Sequence, residues 1–173
     1  MGEPVRLMTS REHRVEAAAP FETFLKDHQT RLFGALCLMT GDRFEAEEIA
    51  QEAFLRVFER WDRVASMEDP AGYLFRVSMN VFRTRRRRAA MALRRTIRAG
   101  PEPDAFDVVE DREVVLRGLA RVSRDERAAL VATSLYGLSS DEAARLLGVK
   151  PSTVRARATR ARAALRDAIG DER

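Results

Sequence analysis

Cysteine, histidine and lysine are nearly missing from this chain. A single cysteine, Cys37, in 173 residues excludes an internal disulfide and any cysteine-cluster zinc site. Set among Leu36, Leu38 and Met39, it reads as a packed thiol, not a reactive one. The two histidines, His13 and His28, offer no credible metal partner to each other or to Cys37. There is no phosphate-cradling glycine loop, no Cys/His pair and no clustered set of metal ligands. The expectation is a protein with no cofactor, no metal, no small-molecule substrate and no enzymatic chemistry. Apolar runs fall well short of the roughly 20 residues a membrane span requires, and the N-terminus has no apolar signal core. Met1-Gly2 is followed by Arg6 where a myristoylation pattern needs Ser or Thr. These absences predict a soluble, cytoplasmic protein with no direct membrane insertion.

The scarcity of lysine has a counterpart. Of 31 basic residues all but Lys26 and Lys150 are arginine, the side chain suited to bidentate contacts with phosphate and guanine. The net charge of +4 understates this, because opposite charges are segregated along the chain. A hydrophobic fraction of 45% is ordinary for a globular protein, and the length allows one domain or two small ones.

The most informative stretch runs from Ser139 to Arg166. Ser139 with Glu142 three residues on is a capping-box pattern. Ala143, Leu146 and Leu147 supply an apolar face, Gly148 ends the helix and Pro151 opens the next. On that second helix Val154, Ala158, Ala161 and Leu165 form one stripe. Arg155, Arg157, Arg160, Arg162 and Arg166 occupy the other faces, and no acid intervenes between Lys150 and Arg166. This is the pattern of a helix-turn-helix whose second helix enters the DNA major groove. A helical hairpin with a solvated arginine face would look similar, although solvated faces usually mix signs.

Upstream, residues 1–19 read as a flexible N-terminal extension, and a helix is expected from near Pro20, with Phe21, Phe24, Leu25, His28, Leu32, Ala35, Leu36 and Met39 inward. Residues 44–61 form an amphipathic pattern with Ile49, Ala50, Ala53, Phe54, Val57 and Trp61 on one side and glutamates on the other. By itself that acidic face is no more than a solvated face. Pro70 opens a third helix, aromatic first and then intensely basic, in which Tyr73 and Phe75 serve either as core or as stacking platforms for unpaired bases. Residues 99–112 are acidic and carry Gly100, Pro101 and Pro103, as an interdomain linker does. Helices are expected at about 113–122 and 124–136, the latter ending at Gly137. The fold class predicted is all-α: two small helical domains joined by a flexible linker, the C-terminal one a helix-turn-helix.

The order of these segments resembles the extracytoplasmic-function (ECF) group of bacterial RNA polymerase sigma factors. The matching residues are the run Glu45 to Arg56, the run Pro70 to Asn80, Gly137 to Val149, and Thr153 to Arg157. The resemblance spans roughly 20–170. It implies a second sigma domain at 20–90, a linker at 91–112 and a fourth sigma domain at 113–170. It implies that Glu48, Gln51, Glu52 and Arg56 dock on the β′ clamp helices of polymerase core, with the β subunit a further contact. It implies that Tyr73, Arg76, Asn80, Arg83, Arg86 and Arg87 open and read the −10 element, Asn80 selecting a flipped base. Ser152, Thr153, Arg155, Arg157, Thr159, Arg160 and Arg162 match the −35-reading helix. Promoter DNA and polymerase core are the implied partners, with an anti-sigma factor a further one. The chain departs from the family at Gly72-Tyr73, where a tryptophan is usual, at Thr84, where an aspartate is frequent, and at Lys150. A stand-alone helix-turn-helix regulator and an all-helical adaptor are the competing classes, and the first leaves the acidic helix at 45–61 without a purpose.

Overall fold

The computed structural model describes residues 10–93 and 118–170, with side chains over 20–91 and 118–168. Every regular element among the described residues is helical. In the N-terminal half they are α1 (Ser10–Thr40), α2 (Arg43–Phe58), a single turn α3 (Trp61–Val64) and α4 (Pro70–Leu93). In the C-terminal half a helical turn at 118–120 precedes α5 (Arg124–Leu130), a π turn (Val131–Leu135), α6 (Ser140–Leu147) and α7 (Pro151–Gly170).

The helices start where local chemistry places them. Asp42 caps α2 by accepting from the Glu45 N–H at 3.0 Å, and Asp69 caps α4 by accepting from the Gly72 N–H at 2.7 Å. The second cap explains one departure from the family pattern: a Cβ on Gly72 would collide with the Asp69 carboxylate. Ser123 and Glu126 form a reciprocal capping box on α5.

Burial then joins the pieces. Leu32, Leu36 and Met39 of α1, Ile49 and Val57 of α2, Val64 of α3 and Phe75, Met79 and Phe82 of α4 are all buried. Each is worth about 1.5–3 kcal/mol in transfer from water. The same apolar cluster continues into Ala128, Val131, Ala132, Ala143, Val154 and Ala158 of the C-terminal half. The two helical halves therefore share a packed seam, centred on the ring of Tyr136 stacked on Phe75 with centroids 3.5 Å apart and planes 12° from parallel.

Four expectations are corrected. Helix α1 begins at Ser10, not near Pro20, and passes through Pro20. The Ala17–Ala19 run has high helix propensity and extends a helix already nucleated by packing, which offsets the bond lost at proline. Residues 10–19 of the expected N-terminal extension are thus helical, while 1–9 lie outside the described residues. Helix α2 stops at Phe58, and Trp61 begins α3 after a non-helical Arg60. The indole packs against Phe21 at 5.3 Å and Phe24 at 4.9 Å, contacts that outweigh another turn of α2. The helix expected at 124–136 is α-helical only to Leu130. Thr133 Oγ1 donates to the carbonyls of Ala129 (2.8 Å) and Leu130 (3.4 Å), and the Tyr136 N–H reaches back to Val131 O at 3.2 Å, the i→i+5 spacing of a π turn. Residues 91–93 complete α4 and do not begin a linker. The remainder of the expected linker and most of the helix at 113–122 lie outside the described residues.

Candidate nucleic-acid interface

The helix-turn-helix forms as its residues dictate. Ser139 and Glu142 close the capping box, the Ser139 N–H donating to Glu142 Oε2 at 2.8 Å and the Glu142 N–H to Ser139 Oγ at 3.2 Å. The Ser139 hydroxyl, donating to the same Oε2 at 2.6 Å, and then the Ser139 N–H hold the Glu142 carboxyl below its ordinary range. Gly148 takes φ 68°, a left-handed conformation that other residues avoid. A Cβ there would also meet the Arg83 guanidinium. Pro151 opens α7, and Val154, Ala158 and Ala161 are buried against α5, α6 and the turn at 118–120. Ser152, Arg155, Thr159, Arg160 and Arg162 are consequently exposed, and Thr153 and Arg157 half-buried.

On α4 the residues matched to −10 reading divide by helical phase. Arg76, Asn80, Arg83 and Arg87 are exposed along one face; Tyr73 and Arg86 are half-buried. Asn80 sits in mid-helix, its carbonyl accepting from Thr84 Oγ1 at 2.8 Å, so it neither caps nor ends α4. Phe75, one of two aromatics read as core or stacking platform, is core at 1% exposure. On α2, Glu48, Gln51 and Arg56 are exposed and Glu52 half-buried. Arg56 bridges to Glu52 at 2.6 Å, and Arg85 of α4 reaches Glu48 at 2.7 Å. His28 packs its ring on Phe24 at 4.5 Å, as a packing histidine does.

Several residues that sequence reasoning passed over prove central. Asp125, in the first turn of α5, accepts from Arg86 of α4 with one oxygen and from Arg157 of α7 with the other, the latter at 2.7 Å. Its neighbour Glu126 accepts from Arg160 Nε at 2.5 Å. That bond, followed by the Ser123 N–H, lowers the Glu126 carboxyl below its usual range. Burial first, then the charges of Arg157 and Arg124, depress the Arg86 guanidinium. Arg83 donates to Leu146 O at 2.9 Å, Arg124 reaches Glu45 of α2 at 2.8 Å, and Arg31 donates to Leu135 O at 2.7 Å. Arg127 is the hub: it donates to Met39 O (3.2 Å), Leu119 O (2.9 Å) and Val122 O (3.2 Å), tying the end of α1 to the turn before α5. Burial lowers its pKa. Beside the α2 face, Phe44 and Leu55 are 71% and 57% exposed. A groove of about 690 Å³ between α1 and α2 includes Phe33, Gln51 and Leu55.

Comparison with known proteins matches this geometry. The model of sigma-70 region 2 matches residues 24–91 and that of sigma-70 region 4 residues 112–165. The ECF RNA polymerase sigma factor SigL of Mycobacterium tuberculosis is 31% identical over 165 residues, covering 88% of this chain and 93% of SigL. The chain belongs to the ECF sigma factors. It is, with them, a factor for initiating transcription. SigE of Mycolicibacterium smegmatis is also 31% identical over 165 residues, and the chain spans 63% of that relative's length. Among solved structures, the sigma factor RpoE of Bartonella quintana, crystallised with the anti-sigma factor NepR, superposes with a TM-score of 0.72 at 20% identity, covering 89% of this chain and 99% of that one. At that identity the likeness shows the fold. Among the described residues of this sigma factor no helix is long and apolar enough to cross a membrane, and no group of three or more His, Cys, Asp or Glu could hold a metal.

Proposed function

We propose that this sigma factor binds RNA polymerase core through α2 and reads promoter DNA with α4 and α7, acting in the cytoplasm and leaving the chemistry to polymerase. The N-terminal unit runs through the end of α4 at Leu93 and the C-terminal unit to the end of α7 at Gly170, with the segment between them as the linker. The observation that carries the reading is one chain presenting a glutamate-lined α2 face and, on a different helix, a helix-turn-helix whose outward side chains are cationic. In this reading Glu48, Gln51, Glu52 and Arg56 dock on the β′ clamp helices, with Leu55 and the groove beside it as the apolar part of the contact. Arg155, Thr159 and Arg160 read the −35 element, supported by Ser152, Thr153, Arg157 and Arg162. Arg76, Arg83, Arg86 and Arg87 hold strand phosphates of the −10 element beside Tyr73. Asn80, exposed in mid-α4, carries both a donor and an acceptor and so can discriminate the edge of an extruded base. An anti-sigma protein is a natural regulator, since the sigma factor of like fold from Bartonella quintana was crystallised with one.

Run-off transcription with polymerase core on genomic fragments tests the function: defined start sites with shared upstream sequence support it, and an inert holoenzyme mixture overturns it. Asn80→Ala tests the base reader. Polymerase binding and thermal stability stay near wild type while open-complex formation falls and preference relaxes at one −10 position. Permanganate footprinting over single −10 substitutions shows this, and unchanged preference assigns Asn80 a structural role only.

A further inference from the structure

We infer that Thr84 is a specificity-determining residue of α4, its methyl group packing on the C5 methyl of a thymine in the −10 element. The inference rests on the reading of α4 given above. It adds to Asn80 a second residue that reads a base, by apolar contact and not by hydrogen bonding.

Three observations carry it. From Arg83 to Arg88, Thr84 is the one residue without charge. Guanidinium groups grip phosphate whatever the sequence, which positions a helix on DNA but specifies no base. Threonine can also hold phosphate, through its hydroxyl proton, but here that proton is donated to the Asn80 carbonyl at 2.8 Å. What Thr84 has left for a partner is a methyl group and an oxygen lone pair, neither of which attracts phosphate. Second, the side chain is exposed, so the methyl is not spent on the core. The bond to Asn80 also selects among threonine's χ1 rotamers and holds the methyl in a fixed place. Third, Thr84 lies four residues beyond Asn80, which returns it to within about 40° of the same direction. The two side chains therefore face one stretch of DNA. Thymine is the base that carries a methyl on its major-groove edge, and threonine is among the side chains that pack on it.

The test uses holoenzyme formed from the full chain and polymerase core. Promoter fragments carry thymine and then uracil at each −10 position in turn, in either strand, and fluorescence anisotropy reads their affinities. Uracil differs from thymine only by the methyl, so the affinity ratio reports that group alone. Wild type is expected to favour thymine about fourfold at one position, about what one methyl group removed from water contributes. Thr84→Ser keeps the hydroxyl bond to Asn80 and loses the methyl, so its preference at that position disappears. Thr84→Val keeps a methyl and loses the bond, so its preference stays. Both substitutions are at an exposed site and should leave thermal stability and core capture near wild type. A wild type indifferent to the methyl at every position overturns the inference, and that comparison needs no variant. A preference that survives in Thr84→Ser overturns it too, because the methyl is then read elsewhere. So does a preference kept in Thr84→Ser but lost in Thr84→Val, which makes Thr84 a positioning residue for Asn80. Arg76→Ala keeps these failures apart from failure of the α4 assignment. If α4 holds the −10 strands, losing Arg76 weakens binding alike at every sequence and lowers the salt slope by about one, with or without a methyl contact at Thr84.

Discussion

Two sets of glutamates and aspartates in this molecule carry like charge and have opposite fates. On α2, Glu48 and Glu52 meet arginines of their own half of the chain, Arg56 one turn along the same helix and Arg85 of the neighbouring α4. Glu48 is still 62% exposed. On α5, Asp125 and Glu126 meet arginines of two other helices in a seam, with Glu126 only 16% exposed. The first set is arranged to exchange partners at little cost, because exposed pairs contribute about 0–1 kcal/mol. The second holds separate parts of the chain together. Charge alone does not say whether an acidic helix is a docking surface or a clasp; where its counter-ions come from does.

The contrast breaks most sharply at Arg127, the cation that anchors the α5 side of the seam. Arg127→Ala removes the guanidinium donor from the carbonyls of Met39, Leu119 and Val122, of which Leu119 keeps the Val122 N–H, and should lower stability by about 1.5–3 kcal/mol, the range for bonds to a charged group. Urea denaturation measures it, and a midpoint within error of wild type would deny Arg127 that role. Next is Gly148→Ala, which forces a side chain into the left-handed region at about 1–2 kcal/mol and crowds Arg83 off the α6 terminus. Thermal melts give the loss, and an unstrained variant would mean the turn can relax.

Acid sharpens the comparison on a smaller scale. Because Arg160 and Ser123 depress the Glu126 carboxyl, its contribution is present above the unfolded carboxylate value of about 4.3 and is lost as pH falls through the lower folded value. Glu126→Gln should therefore lower the neutral plateau and flatten the acid limb, so that variant and wild type converge as pH falls through the folded value. A parallel acid limb in the variant rejects the linkage. The smallest stability effect belongs to α2: reversing Glu48 and Glu52 together should shift folding by about 0.5 kcal/mol or less yet impair capture of polymerase core. Undiminished capture by the folded variant would remove α2 from the docking surface.

What could be read from residues was what local rules decide. Ser139, Glu142, Gly148 and Pro151 fix the helix-turn-helix within a few residues of one another, and Pro70 fixes the start of α4, so both were legible before any tertiary contact was known. The outward set on α7 followed from the same periodicity. Trp61, Thr133 and the run before Pro20 were misjudged because their states depend on partners far away in sequence. Trp61 leaves the α2 register for Phe21 and Phe24, and the π turn delivers Tyr136 to Phe75. The acids of the seam were invisible for the same reason. In isolation Asp125 and Glu126 are acids in the first turn of a helix, where the backbone dipole already favours them. Nothing nearby in sequence announces that Arg86, Arg157 and Arg160 converge there.

The π turn at Val131–Leu135 has a consequence for how length variation acts in this fold. It is one residue more than an α-helical turn spans, and each residue in an α-helix advances the side-chain direction by about 100°. Deleting one residue between Val131 and Leu135 would return the segment to α-helical winding and swing the aromatic at its end about a quarter-turn or more away from Phe75. A homologue shorter by that single residue would keep both helical units and their caps while losing the stacked ring. An alignment gap at this position thus separates chains able to fold onto themselves in this manner from chains that are not.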